Sequence, residues 1–78
     1  MLQFRFTSVE ENLTQPDIGP YRSHGICAEQ KTPAGWEKVL FISDVSCNGA
    51  LVTRLAALCT ELQLEPCHLM NVVLDAIS

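Results

Sequence analysis

Six side chains hold most of the chemistry open to this sequence: His24, Cys27, Cys47, Cys59, Cys67 and His68. Thiolates and imidazoles together make zinc sites, and structural sites of that kind usually start from a close pair such as Cys-x-x-Cys. Here successive cysteines are 20, 12 and 8 residues apart, so no such pair exists. His24 and Cys27 are three apart on an extended segment and point to opposite faces. Cys67 and His68 are consecutive and diverge by about 100° on a helix. Only Cys59, Cys67 and His68 could converge, across the turn between two helical segments. A cysteine nucleophile would also need a base facing it and an oxyanion site. His68 adjoins Cys67 in sequence rather than facing it, and one small layer leaves little room for a substrate pocket. The expectation is no catalytic residue, no metal and no cofactor.

Two further sets share helical spacing near the C-terminus. His68, Asn71 and Asp75 fall on one face at intervals of three and four. Such a face is either solvated or a polar recognition stripe for a partner protein. Cys67, Met70 and Leu74 repeat the same spacing with apolar side chains. They would form a contact patch for another chain, a role that suits the adaptable thioether of methionine.

The composition narrows the remaining classes. The chain has 78 residues, 47% of them apolar and 18% charged, which is room for one domain (1–78) and too hydrophobic for intrinsic disorder. Five basic against nine acidic residues give a net charge of −4. A phosphate backbone would be repelled on average, so no nucleic-acid partner is expected. The longest unbroken apolar run, residues 55–59, falls far short of the ~20 residues that cross a bilayer. Residues 1–6 lack the basic-then-apolar order of a secretory signal. A cytoplasmic protein with reduced thiols and no membrane association is expected.

The elements that must position these residues divide the chain into a sheet half (1–45) and a two-helix half (46–78). Leu2, Phe4 and Phe6 alternate with polar residues, the period of a half-buried strand. Residues 10–20 are polar and broken by Pro16 and Gly19-Pro20, and read as a loop. Residues 21–29 read as a second strand whose Gly25 marks a bulge or a close approach of backbone. Thr32-Pro33-Ala34-Gly35 fits a turn. Residues 36–45 form a third strand in which Val39-Leu40-Phe41-Ile42 is apolar throughout. A strand apolar on both faces is normally covered on both, so either the sheet curls over the core or its second face meets a partner.

Ser46 and Asn48 are both good N-caps for a first helix that ends near Leu62. Its apolar arc holds Leu51, Val52, Leu55, Ala56, Leu58, Cys59 and Leu62, with Thr53, Arg54, Thr60 and Glu61 opposite. Pro66 suits the first position of a second helix that runs to Ile77. There Leu69, Val72, Val73, Ala76 and Ile77 make a core stripe, and Cys67, Met70 and Leu74 carry apolarity well beyond it. Only His68, Asn71, Asp75 and Ser78 remain for the polar side. Either this helix lies deep in a groove with Met70 and Leu74 as core, or those residues form a contact surface.

His24-Gly25-Ile26, then Ile42-Ser43-Asp44-Val45-Ser46 ahead of Leu51 or Val52 and Leu55, then Leu64-Glu65-Pro66-Cys67-His68-Leu69 with Val72-Val73 and Asp75, form a longer pattern. It resembles a family of small bacterial proteins of the Firmicutes type that carry a domain of unknown function. The resemblance spans residues 20–77, and the histidine–leucine pair before the last helix is its most specific part. It implies a cytoplasmic bacterial protein and carries over no activity and no cofactor. That family tends to be acidic where this chain has Met70, Asn71 and Leu74, so the apolar patch is a departure.

Together these readings predict an α+β fold: a three-stranded antiparallel β-meander followed by two α-helices packed on one face of the sheet. The expected function is a small non-enzymatic protein–protein interaction or regulatory module. It would form a homodimer through the C-terminal helix, at Cys67, Met70 and Leu74. The rival is a ligand- or metal-responsive module built on Cys59, Cys67 and His68.

Overall fold

The structure is a computed structural model and describes residues 3–77. Leu2, expected in the first strand, and Ser78, expected on the polar side of the last helix, lie outside the described residues. Strands β1 (Phe4–Gln15), β2 (Gly19–Thr32) and β3 (Gly35–Ser46) form an antiparallel meander in the order β1-β2-β3. Helix α1 (Gly49–Glu61), a 3₁₀ turn (Pro66–His68) and helix α2 (Leu69–Ile77) follow. The fold is the expected α+β arrangement, with both helices packed against the sheet.

The expected loop over residues 10–20 is instead two strands and a tight turn. β1 and β2 pair without interruption from Phe4↔Gln30 to Gln15↔Gly19. Only Pro16, Asp17 and Ile18 turn the chain, closed by the Ile18 N–H on the Gln15 carbonyl at 3.3 Å. This hairpin arm projects beyond the helices and helps stretch the molecule to 46 × 26 × 19 Å. With no core beneath it, nothing imposes the apolar alternation by which a strand is recognised.

The core lies between the helix-facing side of the sheet and the two helices. Phe4, Phe6, Ile26, Ala28, Ile42 and Val45 point inward from the strands. From α1 they meet Val52, Leu55, Ala56 and Cys59, the i, i+3, i+4, i+7 stripe of an amphipathic helix. α2 contributes Leu69 and Val73. Asn48 is the N-cap of α1 and accepts the Leu51 N–H at 3.2 Å, while the Ser46 hydroxyl accepts from Asn48 N–H.

Two irregularities shape β3. The register shifts opposite Ala28/Glu29, and Val39 falls in that shift. A bulge of this kind breaks strict alternation. Val39 therefore joins a groove on the helix side with Phe4 and Gln63, while Phe41 lies opposite Cys27. The second shift falls between His24 and Ile26, at Gly25. A Cβ there would lie 2.5 Å from the Ile42 carbonyl oxygen and 3.1 Å from the Phe41 ring. Gly25 thus faces a bulge that β3 makes over residues 43–45, and it is the close backbone approach that its place in the strand suggests. The far face of β3 carries a partly exposed Phe41, with the Lys38 ammonium 5.8 Å from its ring.

α1 seals the outer edge of β1. Thr60 Oγ1 accepts the Phe6 N–H at 2.8 Å and donates to the Phe6 carbonyl or its own Ala56 carbonyl. The Gln63 amide does the same for Phe4, with both contacts at 2.9 Å. Thr60 and Thr53 were expected to face away from the sheet. Thr60 instead clamps β1, and the Thr53 hydroxyl meets Ser8 at 3.0 Å. An unpaired strand edge invites pairing with another chain, and these side chains occupy its donors and acceptors at Phe4 and Phe6.

Candidate functional site

The chain leaves α1 through a Schellman turn. Gln63 N–H bonds the Thr60 carbonyl at 3.1 Å and Leu64 N–H bonds the Cys59 carbonyl at 3.0 Å. Gln63 takes the left-handed conformation (φ 51°) that glycine usually fills there. Its side-chain bonds to β1 offset the strain of about 1 kcal/mol. Pro66 then opens the 3₁₀ turn, closed by His68 N–H on the Glu65 carbonyl at 2.9 Å. The second helix was expected to start at Pro66. Its first three residues form this tighter turn, and α2 proper begins at Leu69.

α2 is anchored through few side chains. Leu69 and Val73 are buried and Val72 is half-buried. Met70 is 49% exposed, Leu74 52% and Ile77 47%. Met70 and Leu74 are therefore not core, and Ile77 and Ala76, expected in the core stripe, are exposed. The reason is the position of α2, which rests on β3 at the border of the sheet and is covered on one side only.

α1 adds to this surface. Its Thr53–Thr60 flank is turned to β1 by the hydrogen bonds described above. Leu51, Leu58 and Leu62 lie on the opposite flank, the side on which α2 rests. Leu58 is 48% exposed and Leu62 68%, although both fall within the apolar arc of the helix. The sequence signal for them was the width of that arc, which exceeds the stripe a thin sheet can cover.

Cys67 is exposed, as are His68, Asn71 and Asp75. His68 belongs to the 3₁₀ turn rather than to α2, and its ring gathers with Glu65 and Cys67. One ligand atom from each of these three residues lies within 4.8 Å of the other two. Cys59 does not join them. It is 2% exposed within the core of α1, where burial pushes its thiol up, so the set Cys59, Cys67 and His68 does not form. Glu65, which the sequence reading left out, takes its place. All four cysteines are free, with Cys27 buried and raised by desolvation like Cys59.

A second polar cluster lies at the other end of the sheet. Ser23, fully buried, donates to Asp44 Oδ1 at 2.5 Å and contacts the Ser46 carbonyl at 3.2 Å. The Tyr21 hydroxyl donates to Asp44 Oδ2 at 2.8 Å. Glu11 reaches from β1 to accept from the Ser43 hydroxyl (2.9 Å) and the Asp44 N–H (2.8 Å). Donation by Ser23 and then Tyr21 holds the Asp44 carboxyl below its usual range, and donation to Asp44 raises the Tyr21 hydroxyl. Asp44 sits at φ 54°, held there by these bonds. With its protons committed to internal acceptors, the cluster ties all three strands together rather than presenting a reactive group. His24 packs beside Gly49 at the start of α1, and its Nδ1 is buried with no hydrogen-bond partner among the described residues.

No helix among the described residues is long and apolar enough to cross a membrane. Comparison of the chain with known families, characterised proteins and solved structures gives no match in any of the three.

Proposed function

We propose that this chain is a small non-enzymatic interaction module of the bacterial cytoplasm that pairs with a second copy of itself through α2. The observation that carries this reading is the half exposure of Met70, Leu74 and Ile77 on a nine-residue helix held by two buried side chains. A helix of this length is marginal by itself and takes its stability from what covers it.

A second copy fits the surface for three reasons. Met70, Leu74 and Ile77 recur at intervals of four and three, a ridge that packs against its own twofold image. Asp75 is the only charged residue in α2, so two chains of charge −4 meet where their repulsion is least. The energy also balances at a useful level. Covering these three residues with Leu58 and Leu62 returns about 1 kcal/mol for each half-exposed side chain. Five per copy give about 10 kcal/mol for the pair, which leaves about 6 kcal/mol when the lost translational and rotational freedom costs about 4 kcal/mol, the low end of its range. The result is a weak, concentration-dependent dimer, a form suited to regulation by protein level.

The free thiols and the absence of a membrane-crossing helix among the described residues support the cytoplasmic setting. The resemblance of residues 20–77 to small bacterial proteins supports the bacterial one. Sedimentation velocity over a dilution series tests the pairing. The expected result is a monomer–dimer equilibrium with a dissociation constant of tens of micromolar, and a monomer at every concentration up to hundreds of micromolar would overturn it.

A further inference from the structure

Glu65, Cys67 and His68 bring a carboxylate oxygen, a sulfur and an imidazole nitrogen within 4.8 Å of one another, with Cys67 Sγ 3.7 Å from Glu65 Oε2. Around tetrahedral zinc, bonds of about 2.3 Å to sulfur and about 2.0–2.2 Å to nitrogen and oxygen set ligands about 3.3–3.6 Å apart. At its widest the observed group needs to close by about 1.2–1.5 Å to meet that geometry, and its side chains are exposed. Their backbone is fixed on both sides. The Schellman turn precedes them, the His68 N–H closes their own turn, and fully buried Leu69 pins its end to the core.

We propose that Glu65, Cys67 and His68 form a binding site for a zinc-class divalent cation at the entry to α2. Thiolate and imidazole favour a borderline-soft ion over magnesium or calcium, which take oxygen ligands. The charges also match, since one carboxylate and one thiolate neutralise a dication. On binding, the Cys67 S–H bond breaks, the sulfur lone pair forms the metal–sulfur bond and one proton leaves to solvent. Glu65 donates through a carboxylate oxygen and His68 through a ring-nitrogen lone pair, so no other proton is exchanged when the titration is run at a pH where both are unprotonated. Three protein ligands leave the fourth position open. Glu65 and Cys67 also line a groove of about 600 Å³ with Phe4, Val39 and Pro66, which gives a small ligand a place beside the ion.

The site adjoins the pairing surface, since Cys67 lies three residues before Met70, and its test reads metal uptake rather than association. The test is calorimetric titration of the reduced, chelator-treated full chain with zinc chloride, and of Cys67→Ser, His68→Ala and Cys47→Ser variants. One zinc per chain with release of one proton is expected, weakened at least about tenfold in the first two variants and unchanged in the third. Cobalt chloride should produce a thiolate-to-cobalt charge-transfer band that Cys67→Ser abolishes. Zinc should slow alkylation of Cys67 but not of Cys47, the other exposed thiol. No saturable uptake at about millimolar zinc, or uptake equally strong in the Cys67→Ser variant, would overturn the proposal.

Discussion

Leu74→Glu is the sharpest perturbation of the proposed pairing surface. In a twofold dimer the substitution acts twice. Each Leu74 is half exposed in the single chain, so losing its coverage removes about 1 kcal/mol per copy. Placing two carboxylates in an apolar seam adds at least about 1 kcal/mol each for desolvation without a partner. The sum of about 4 kcal/mol weakens the dissociation constant by about a thousandfold. A dimer of tens of micromolar then becomes a monomer at every accessible concentration. The fold should survive at a cost of about 1 kcal/mol, the contribution of the half of Leu74 that the single chain buries. Sedimentation velocity measures the association, and thermal unfolding at dilution measures the fold. Ile18→Glu is the control: Ile18 is more exposed than Leu74 but sits in the turn of the β1–β2 arm, and it should leave association unchanged. A Leu74→Glu variant that pairs as well as the parent, or an Ile18→Glu variant that pairs as poorly as Leu74→Glu, would refute the reasoning.

Three further expectations concern the fold. Gly25→Ala forces a Cβ to 2.5 Å from the Ile42 carbonyl, so β2 and β3 must separate. Denaturant unfolding should show a loss of about 1–3 kcal/mol. Thr60→Val keeps shape but leaves the Phe6 N–H and carbonyl without their partner, with an expected loss of about 1–3 kcal/mol and faster aggregation from the opened β1 edge. Asp44 has a folded-state pKa below its unfolded value, so its contribution is complete above about pH 4 and is lost as pH falls through the lower folded value. Acid unfolding of Asp44→Asn, a residue that also tolerates the left-handed backbone, should therefore show a smaller stability loss below about pH 4 than the parent.

What the sequence made legible follows from how directly each residue touches the core. Phe4 and Phe6 alternate because one face of β1 is buried beneath α1, and Val52, Leu55, Ala56 and Cys59 repeat with the helix for the same reason. Residues 10–15 carried no such pattern, since both faces of the hairpin arm meet water, and they read as loop although they are strand. Thr60 and Gln63 look like ordinary polar helix residues, and nothing in their types announces that they clamp the edge of β1. The excess apolarity around α2 was visible in Met70 and Leu74. That Ile77, Leu58 and Leu62 share this exposure depends on how narrowly the sheet covers the helices, which spacing alone does not fix. Cys59 could have been separated from Cys67 and His68 by its i+4 and i+7 relation to Leu55 and Val52, which assigns it to the core stripe. Glu65 joins Cys67 and His68 only because Pro66 and the 3₁₀ turn fold the chain tightly there.

The central claim is that a second copy covers α2, and contact between copies is its most direct measure. A dimer assembled from isotope-labelled and unlabelled chains, examined by isotope-filtered NMR, reports only contacts that cross the interface. Cross-peaks from the Met70 methyl group of one copy to Leu74 and Ile77 of the other are predicted. Intermolecular contacts confined to β3 or to the hairpin arm, or none at a concentration where chains are mixed as dimers, would contradict it.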